Sequence, residues 1–381
     1  MFLRSSWLDR LEQAFADRSV VWLKGVRRVG KTVLSRSLPG IQYYDCELPR
    51  TRALLEDPEG FLREQRGKRI VLDEIHRLIN PSEILKIAAD HYPDVQILAT
   101  GSSTLGASTK FRDTLTGRKH SVWLTPMTLA DLTAFERGDL KHRLLRGGLP
   151  PFFLSDPLPE GDFQEWVDSY WAKDIQELFR LERRSSFQRL FELLVAQSGG
   201  IFEATRFAAP CEVSRQTVTN YLAVLEATLA AHVVRPFSTR RATEIVSAPK
   251  VYAFDTGFVC YLRGWRDLRE EDLGILWEHF VLNELHAYLQ TQNIHYWRDK
   301  NTHEIDFVLR GRGRSPDAIE CKWSAAEFDP RNLIAFRRQY PNGRNWIVAA
   351  DVDQAYTREL KGIEMRFVDL RTLVGRLDSA D

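Results

Sequence analysis

The chain has 381 residues, 44% of them hydrophobic and 28% charged, enough for two or three domains with cores of their own. Its formal net charge of +1 excludes an argument for nucleic acid from overall charge, so a basic binding surface has to be a local patch. Cys46, Cys211, Cys260 and Cys321 show no zinc-ligand spacing, and no apolar run suits a signal peptide or a membrane span, so a reducing, cytoplasmic setting without membrane insertion is expected.

Short apolar runs at residues 20–24, 42–45, 69–73, 95–100 and 120–124 alternate with helical patterns, which predicts a largely parallel sheet flanked by helices. After the first run comes Gly25-Val26-Arg27-Arg28-Val29-Gly30-Lys31-Thr32, a match to GxxxxGK[ST] in its required strand, loop, helix setting. The glycines let backbone N–H groups close around phosphate oxygens, and the dipole of the following helix, which starts near Val33, favours the anion. Lys31 is expected to reach the β- and γ-phosphates, and the Thr32 hydroxyl to coordinate Mg²⁺. Arg27 and Arg28 either contact phosphate or pair with the protein's own acids.

The third run ends in Asp73-Glu74. Asp73 is the candidate second holder of Mg²⁺, and Glu74 the base that orients and deprotonates the attacking water. Thr100-Gly101-Ser102-Ser103 follows the fourth run, and Ser102 or Thr100 either senses the γ-phosphate or simply forms the turn. Arg112 and Arg118 come next; each is a solvated arginine or a finger completing a neighbouring subunit's site in an oligomer, with Arg118 the candidate.

The combination of GVRRVGKT at residues 25–32, VLDEIH at 71–76, ATGSS at 99–103 and LTGRKHSVWLTPMTLADL at 115–132 resembles AAA+-type P-loop ATPases that carry the C-terminal domain of unknown function 4143. Gly147-Gly148-Leu149-Pro150, Tyr170-Trp171-Ala172-Lys173-Asp174-Ile175 and Tyr252-Ala253-Phe254-Asp255-Thr256-Gly257-Phe258 extend the resemblance along nearly the whole chain. Met127 stands where that family usually has leucine. The resemblance implies an ATP-binding domain, a winged-helix middle and a C-terminal domain similar to PD-(D/E)xK nucleases.

Residues 163–229 carry a helical pattern, within which residues 202–222 read as helix, turn, helix with Ser214 as the N-cap of the second helix. Val218, Leu222 and Leu225 are expected to face the core, leaving Arg215, Gln216, Thr219 and Asn220 able to reach DNA. Arg235, Arg240 and Arg241 suit a wing on the DNA backbone, and Arg310, Arg312 and Arg314 a further phosphate-binding patch or a solvated loop.

Further on, Ile275, Val281, Leu282, Leu285 and Leu289 form an apolar stripe at helical spacing, with Glu278 inside it and Glu284 off it. Strand alternation places Asp306 opposite Ile305, Phe307 and Leu309, and puts Glu320 and Lys322 on one face of the next strand. Asp306, Glu320 and Lys322 fit a D…ExK signature with Glu278 as the helix-borne acid. Asp306, Glu320 and Glu278 are the expected ligands for Mg²⁺ or Mn²⁺, and Lys322 would position or deprotonate the attacking water. A buried Lys322 paired with Glu320 or Asp306 is the structural alternative.

The predicted fold is therefore α/β: a P-loop NTPase parallel-sheet domain over residues 1–150, a helical winged-helix middle over 163–245, and an α/β restriction-endonuclease-like domain over 246–381. The leading expectation is an ATPase whose nucleotide state is coupled to DNA binding, with metal-dependent DNA cleavage by the C-terminal domain as a further step. The alternative is a nucleotide-controlled switch or scaffold for a protein partner, with an inactive nuclease-like domain.

Overall fold

A computed structural model of the protein describes residues 3–101, 114–135, 139–157, 160–176, 179, 183–238, 248–310 and 315–378. The chain packs as two units: Met1–Asp139 with Gly147–Gln188 and Asn220–Ala230, and Leu140–Arg146 with Arg189–Thr219 and Ala231–Asp381.

In the first unit, helix α1 (Ser5–Asp17) precedes strand β1 (Val20–Lys24), and the P-loop leads into helix α2 (Lys31–Arg36). Strands β2 (Ile41–Asp45), β3 (Arg69–Asp73), β4 (Gln96–Thr100) and β5 (Lys119–Trp123) complete a sheet of order β2-β3-β4-β1-β5. All its pairings are parallel, as the spaced apolar runs predicted. Strand β4 is inserted between β1 and β3, so the P-loop and Asp73 stand two strands apart at the same, C-terminal edge. That edge is where open α/β sheets bind ligands. One sheet face packs Trp22, Ile70, Leu72, Ile97 and Ala99 against Leu85 and Ala88. Burial of each such side chain contributes about 1.5–3 kcal/mol for the larger ones, which keeps the strand ends in register beneath the site. Helix α3 (Glu160–Tyr170) runs into a π-helical turn, Trp171–Gln176, in the same unit.

The helix-turn-helix reading corresponds to α4 (Ala204–Ala208) and α5 (Arg215–Ala227). Thr217 N–H donates to Ser214 Oγ at 3.1 Å, the cap expected at the start of α5. Val218, Leu222 and Leu225 are buried, and Arg215, Gln216, Thr219 and Asn220 are exposed.

The second unit is built on a nine-stranded mixed sheet, β13-β14-β12-β11-β10-β9-β7-β8-β6. Its strands are β6 (Gly200–Ile201), β7 (Ala231–Pro236), β8 (Lys250–Ala253), β9 (His295–Arg298), β10 (Glu304–Leu309), β11 (Asp317–Lys322), β12 (Asn345–Ala349), β13 (Tyr356–Leu360) and β14 (Ile363–Val368). Helix α6 (Glu270–Leu289) packs on β11, and helix α7 (Arg331–Gln339) on β10.

Helix α6 departs from the amphipathic reading. Ile275, placed on the apolar stripe, is 42% exposed, whereas Glu284, placed off it, is buried. The helix is buried around most of its circumference, and a 3.6-residue period reveals orientation only when one face meets water. Among the described residues no helix is long and apolar enough to cross a membrane.

Candidate functional site

Two backbone features shape the P-loop. A Cβ on Gly25 would come within 2.5 Å of the Leu124 carbonyl oxygen, and Gly30 adopts φ 103° at the mouth of α2, a conformation costly for any L side chain. Lys31 Nζ donates to the carbonyl oxygens of Gly25 at 2.8 Å and Val26 at 3.1 Å. Burial lowers its pKa, while the charges of Glu74, Asp174 and Asp73 pull the other way.

Asp73 is the hub of the site. Its Oδ2 accepts from Thr32 Oγ1 at 3.0 Å and from the Tyr43 hydroxyl on β2, and its Oδ1 accepts from Thr100 Oγ1. Thr100 can serve as this bridge because β4 lies between the P-loop strand and β3. It also accepts the Glu74 backbone N–H at 3.2 Å, a structural tie between β4 and the end of β3. Glu74 sits at φ 52°, a left-handed conformation that non-glycine residues adopt mainly where the surroundings impose it. His76 Nδ1 lies 3.1 Å from Glu74 Oε2. Burial alone would raise the Glu74 pKa, but the His76 hydrogen bond with the charges of Lys31, His76 and Arg27 holds it below its ordinary value.

Beside this network lies a cavity of about 450 Å³ lined in part by Arg27, Lys31, Thr32, Glu74, His76 and Asp174, while Asp73 itself is outside its lining. Arg28, Gly30 and Val33 also reach it, while Val29 is buried and its carbonyl accepts from Arg4 Nη1 at 3.3 Å. A second, apolar cavity of about 260 Å³ shares Gly30, Val33, Pro150 and Leu154 with the first, and is walled by Leu3, Leu34 and Phe135. Arg27 and Arg28 are both in ion pairs, with Asp174 at 3.0 Å and Glu165 at 2.5 Å. Arg118 is outside the cavity lining and pairs with Asp90 at 2.7 Å. Ser102 and Arg112 lie outside the described residues, as do Arg240, Arg241, Arg312 and Arg314.

Sequence reasoning missed Tyr43, His76 and Asp174 as members of this site. Asp174 belongs to a motif already noticed, but nothing in its local pattern points to the P-loop. His76 is within the quoted VLDEIH stretch and two residues past Glu74, the one local signal that could have found it.

In the second unit the antiparallel register of β10 and β11, with Phe307 opposite Ile319, brings Asp306 beside Glu320. Cys321 N–H donates to Asp306 Oδ2 at 2.7 Å, and Lys322 Nζ lies 3.1 Å from Glu320 Oε2 and 3.8 Å from Asp306 Oδ2. Glu320 is 2% exposed, and its Oε1 has no hydrogen-bond partner among the described residues. Burial first, and then the charge of Asp306, pushes its carboxyl up to about 8 against the pull of Lys322.

Glu278 is engaged elsewhere: Lys250 Nζ lies 3.2 Å from its Oε1, and the Tyr252 hydroxyl donates to the same oxygen. Lys250 also pairs with Glu304 at 2.5 Å. Burial alone would lower the Lys250 pKa, but the charge of Glu278, with Tyr252, Asp306 and Glu304, holds it well above its ordinary range. Lys250 and Tyr252 lie on β8, outside the D…ExK pattern, and no spacing rule links them to Glu278. Among the described residues no group of three or more His, Cys, Asp and Glu is arranged to hold a metal ion.

Residues 17–133 match the family described as AAA domain, residues 137–269 a domain of unknown function (DUF8612), and residues 273–367 a domain of unknown function (DUF4143). The chain is 30% identical over 337 residues to uncharacterized protein Rv2008c of Mycobacterium tuberculosis, covering 85% of this chain and 75% of that one. It is 22% identical over 272 residues to uncharacterized protein MJ1544 of Methanocaldococcus jannaschii, covering 65% and 59%. Among solved structures it resembles a Walker-type ATPase of Pyrococcus abyssi at 16% identity and a TM-score of 0.45, covering 69% of this chain and 96% of that one. A DNA replication initiation factor aligns at 12% identity and a TM-score of 0.27, covering 55% and 70%. The chain belongs to the family of AAA-domain, P-loop ATPase-like proteins whose C-terminal part is the domain of unknown function DUF4143.

Proposed function

We propose that this protein binds ATP with Mg²⁺ and hydrolyses it in the cavity above β1 and β3. The observation that carries the reading is the hydrogen bond from Thr32 to Asp73, with Glu74 and Lys31 lining the same cavity. Hard oxygen donors of this kind suit Mg²⁺. Thr32 and Asp73 would hold it, and when bound it supplies charge stabilisation to the phosphoryl oxygens. Lys31 exchanges its two loop carbonyls for phosphate oxygens. Glu74, deprotonated and oriented by His76, accepts a proton from the attacking water. The apolar cavity beside Val33 and Pro150 takes the nucleobase. Calorimetry on Lys31→Ala tests the site: ATP affinity is expected to be lost, and unchanged affinity sinks the assignment.

A second reading concerns the other unit and rests on the buried, unpartnered Oε1 of Glu320 beside Asp306. We propose that these two carboxylates take Mg²⁺ or Mn²⁺ in a PD-(D/E)xK nuclease-like site, with Glu278 neutralised by Lys250 rather than serving as a third ligand. Such a metal would supply charge stabilisation to a phosphodiester. Lys322, held as a cation by Glu320 and Asp306, positions the water, and Arg215, Gln216, Thr219 and Asn220 contact DNA. Labelled DNA incubated with Mn²⁺ and the wild-type chain, Asp306→Ala or Glu320→Ala is the test. Equal cleavage by all three removes these residues from the role, and DNA indifference in every case favours a nucleotide-controlled scaffold for a protein partner.

A further inference from the structure

Two adjacent arginines of the P-loop reach the same cavity but pair with different acids. Arg28, at φ 61°, reaches Glu165, which is 63% exposed at the surface. Arg27 lines the phosphate cavity together with Lys31, Thr32 and Glu74, and its charge is felt by both Lys31 and Glu74. Its ion pair is made through Nε: Asp174 Oδ2 accepts from it at 3.0 Å. A carboxylate bound at Nε leaves the two terminal amino groups of the guanidinium to a second anion, and a planar fork of this kind suits phosphate oxygens.

The residue is also held from behind. Trp166 Nε1 donates to the Arg27 carbonyl oxygen at 3.1 Å, and Trp166 stacks on Tyr170 with ring centroids 5.1 Å apart. Asp174 follows in the π-helical turn Trp171–Gln176, a local widening that recurs at functional sites. Glu165, Trp166 and Asp174 thus hold the first turn of the P-loop from one continuous segment of the same unit.

We propose that Arg27 supplies the γ-phosphate-contacting guanidinium from within the chain's own P-loop, and that Asp174 is the positioning residue that aims it. The role rests on the ATPase reading above. It assigns to Tyr170-Trp171-Ala172-Lys173-Asp174-Ile175 the task of completing the nucleotide site in cis, so that no neighbouring subunit has to provide an arginine.

The test uses the full chain, measuring kcat and KM for ATP hydrolysis together with ADP affinity by calorimetry. Arg27→Ala is expected to lower kcat about 1,000-fold or more, by analogy with arginines that stabilise phosphoryl transfer, while ADP affinity changes less than about threefold. Asp174→Asn is expected to lower kcat about tenfold with KM and ADP affinity held, and Asp174→Glu to recover part of it. Turnover per chain should not vary with protein concentration. Wild-type kcat in Arg27→Ala overturns the proposal, as does an equal loss of ADP and ATP affinity, which would mark a loop-shaping role. A rate per chain that collapses on dilution overturns it too. Lys31→Ala separates this from the parent reading: full ATP affinity there removes the ATP site itself, whereas an inactive Lys31→Ala beside a fully active Arg27→Ala removes only the role of Arg27.

Discussion

Thr32 Oγ1 donates to Asp73 Oδ2 across 3.0 Å, joining the P-loop to the end of a strand two places away in the sheet. Strand β4 fills the gap, and its last residue, Thr100, hydrogen-bonds the other Asp73 oxygen. In the proposed ATP site the Mg²⁺ side is thus built by sheet order, and the phosphate side by the loop.

Asp73→Asn tests that construction. The amide preserves shape but removes the charge, so ATP hydrolysis should fall about 100-fold or more and the Mg²⁺ concentration for half-maximal rate should rise. A steady-state titration with Mg²⁺ measures both, and an unaltered Mg²⁺ dependence would reassign Asp73 to a purely structural place among Thr32, Tyr43 and Thr100.

Glu74→Gln should bind ATP as tightly as the wild type while turning it over about 100-fold more slowly or worse. The Glu74 pKa is lowered from 4.5, so the base form persists through neutral pH and the acid limb of the wild-type kcat profile lies below that value. His76 supplies the first of the influences that lower it. His76→Ala should therefore move the acid limb to higher pH, and a kcat–pH profile that keeps its position shows that His76 does not tune Glu74.

Lys250 is 5% exposed and joins Glu278 to Glu304. Its replacement in Lys250→Met leaves two carboxylates facing one another without their cation, and breaking a buried pair from one side costs about 3–5 kcal/mol. Urea unfolding followed by tryptophan fluorescence should register the loss. The double variant Lys250→Met, Glu278→Gln should recover part of it, and a loss identical to the single variant would uncouple the two residues.

His232 is buried beside His286, with ring centroids 4.7 Å apart. Burial first, then the charges of His286 and His279, holds its pKa well below 6.5. A folded-state pKa depressed in a histidine means that the unfolded chain binds the proton first, so stability is complete above 6.5 and falls as pH drops below it. The slope for one proton approaches about 1.4 kcal/mol per pH unit. Urea midpoints at pH 7 and pH 5 should show the fall, with a shallower one in His232→Phe; equal slopes would exclude His232 as a source.

The five parallel strands were legible because each is a short apolar run bounded by turns, a pattern set within five or six residues. The facing of β11 was legible, since strand alternation already placed Glu320 and Lys322 on one face, but its register with β10 was not. Orientation in α6 was not, because Ile275 and Glu284 belong to a helix buried around most of its surface and the apolar spacing there carries no sense of outside.

The sequence by itself determined the P-loop motif, because Gly25, Gly30, Lys31 and Thr32 fall within eight contiguous residues, although the close approach that requires glycine at 25 comes from the distant Leu124 carbonyl. Only the tertiary structure decided who stands opposite each charge. Tyr43 reaches Asp73, Asp174 reaches Arg27 and Lys250 reaches Glu278 across separations of 30, 147 and 28 residues. Such partnerships follow from strand order and from the segment laid against the loop, and no local period or spacing encodes them.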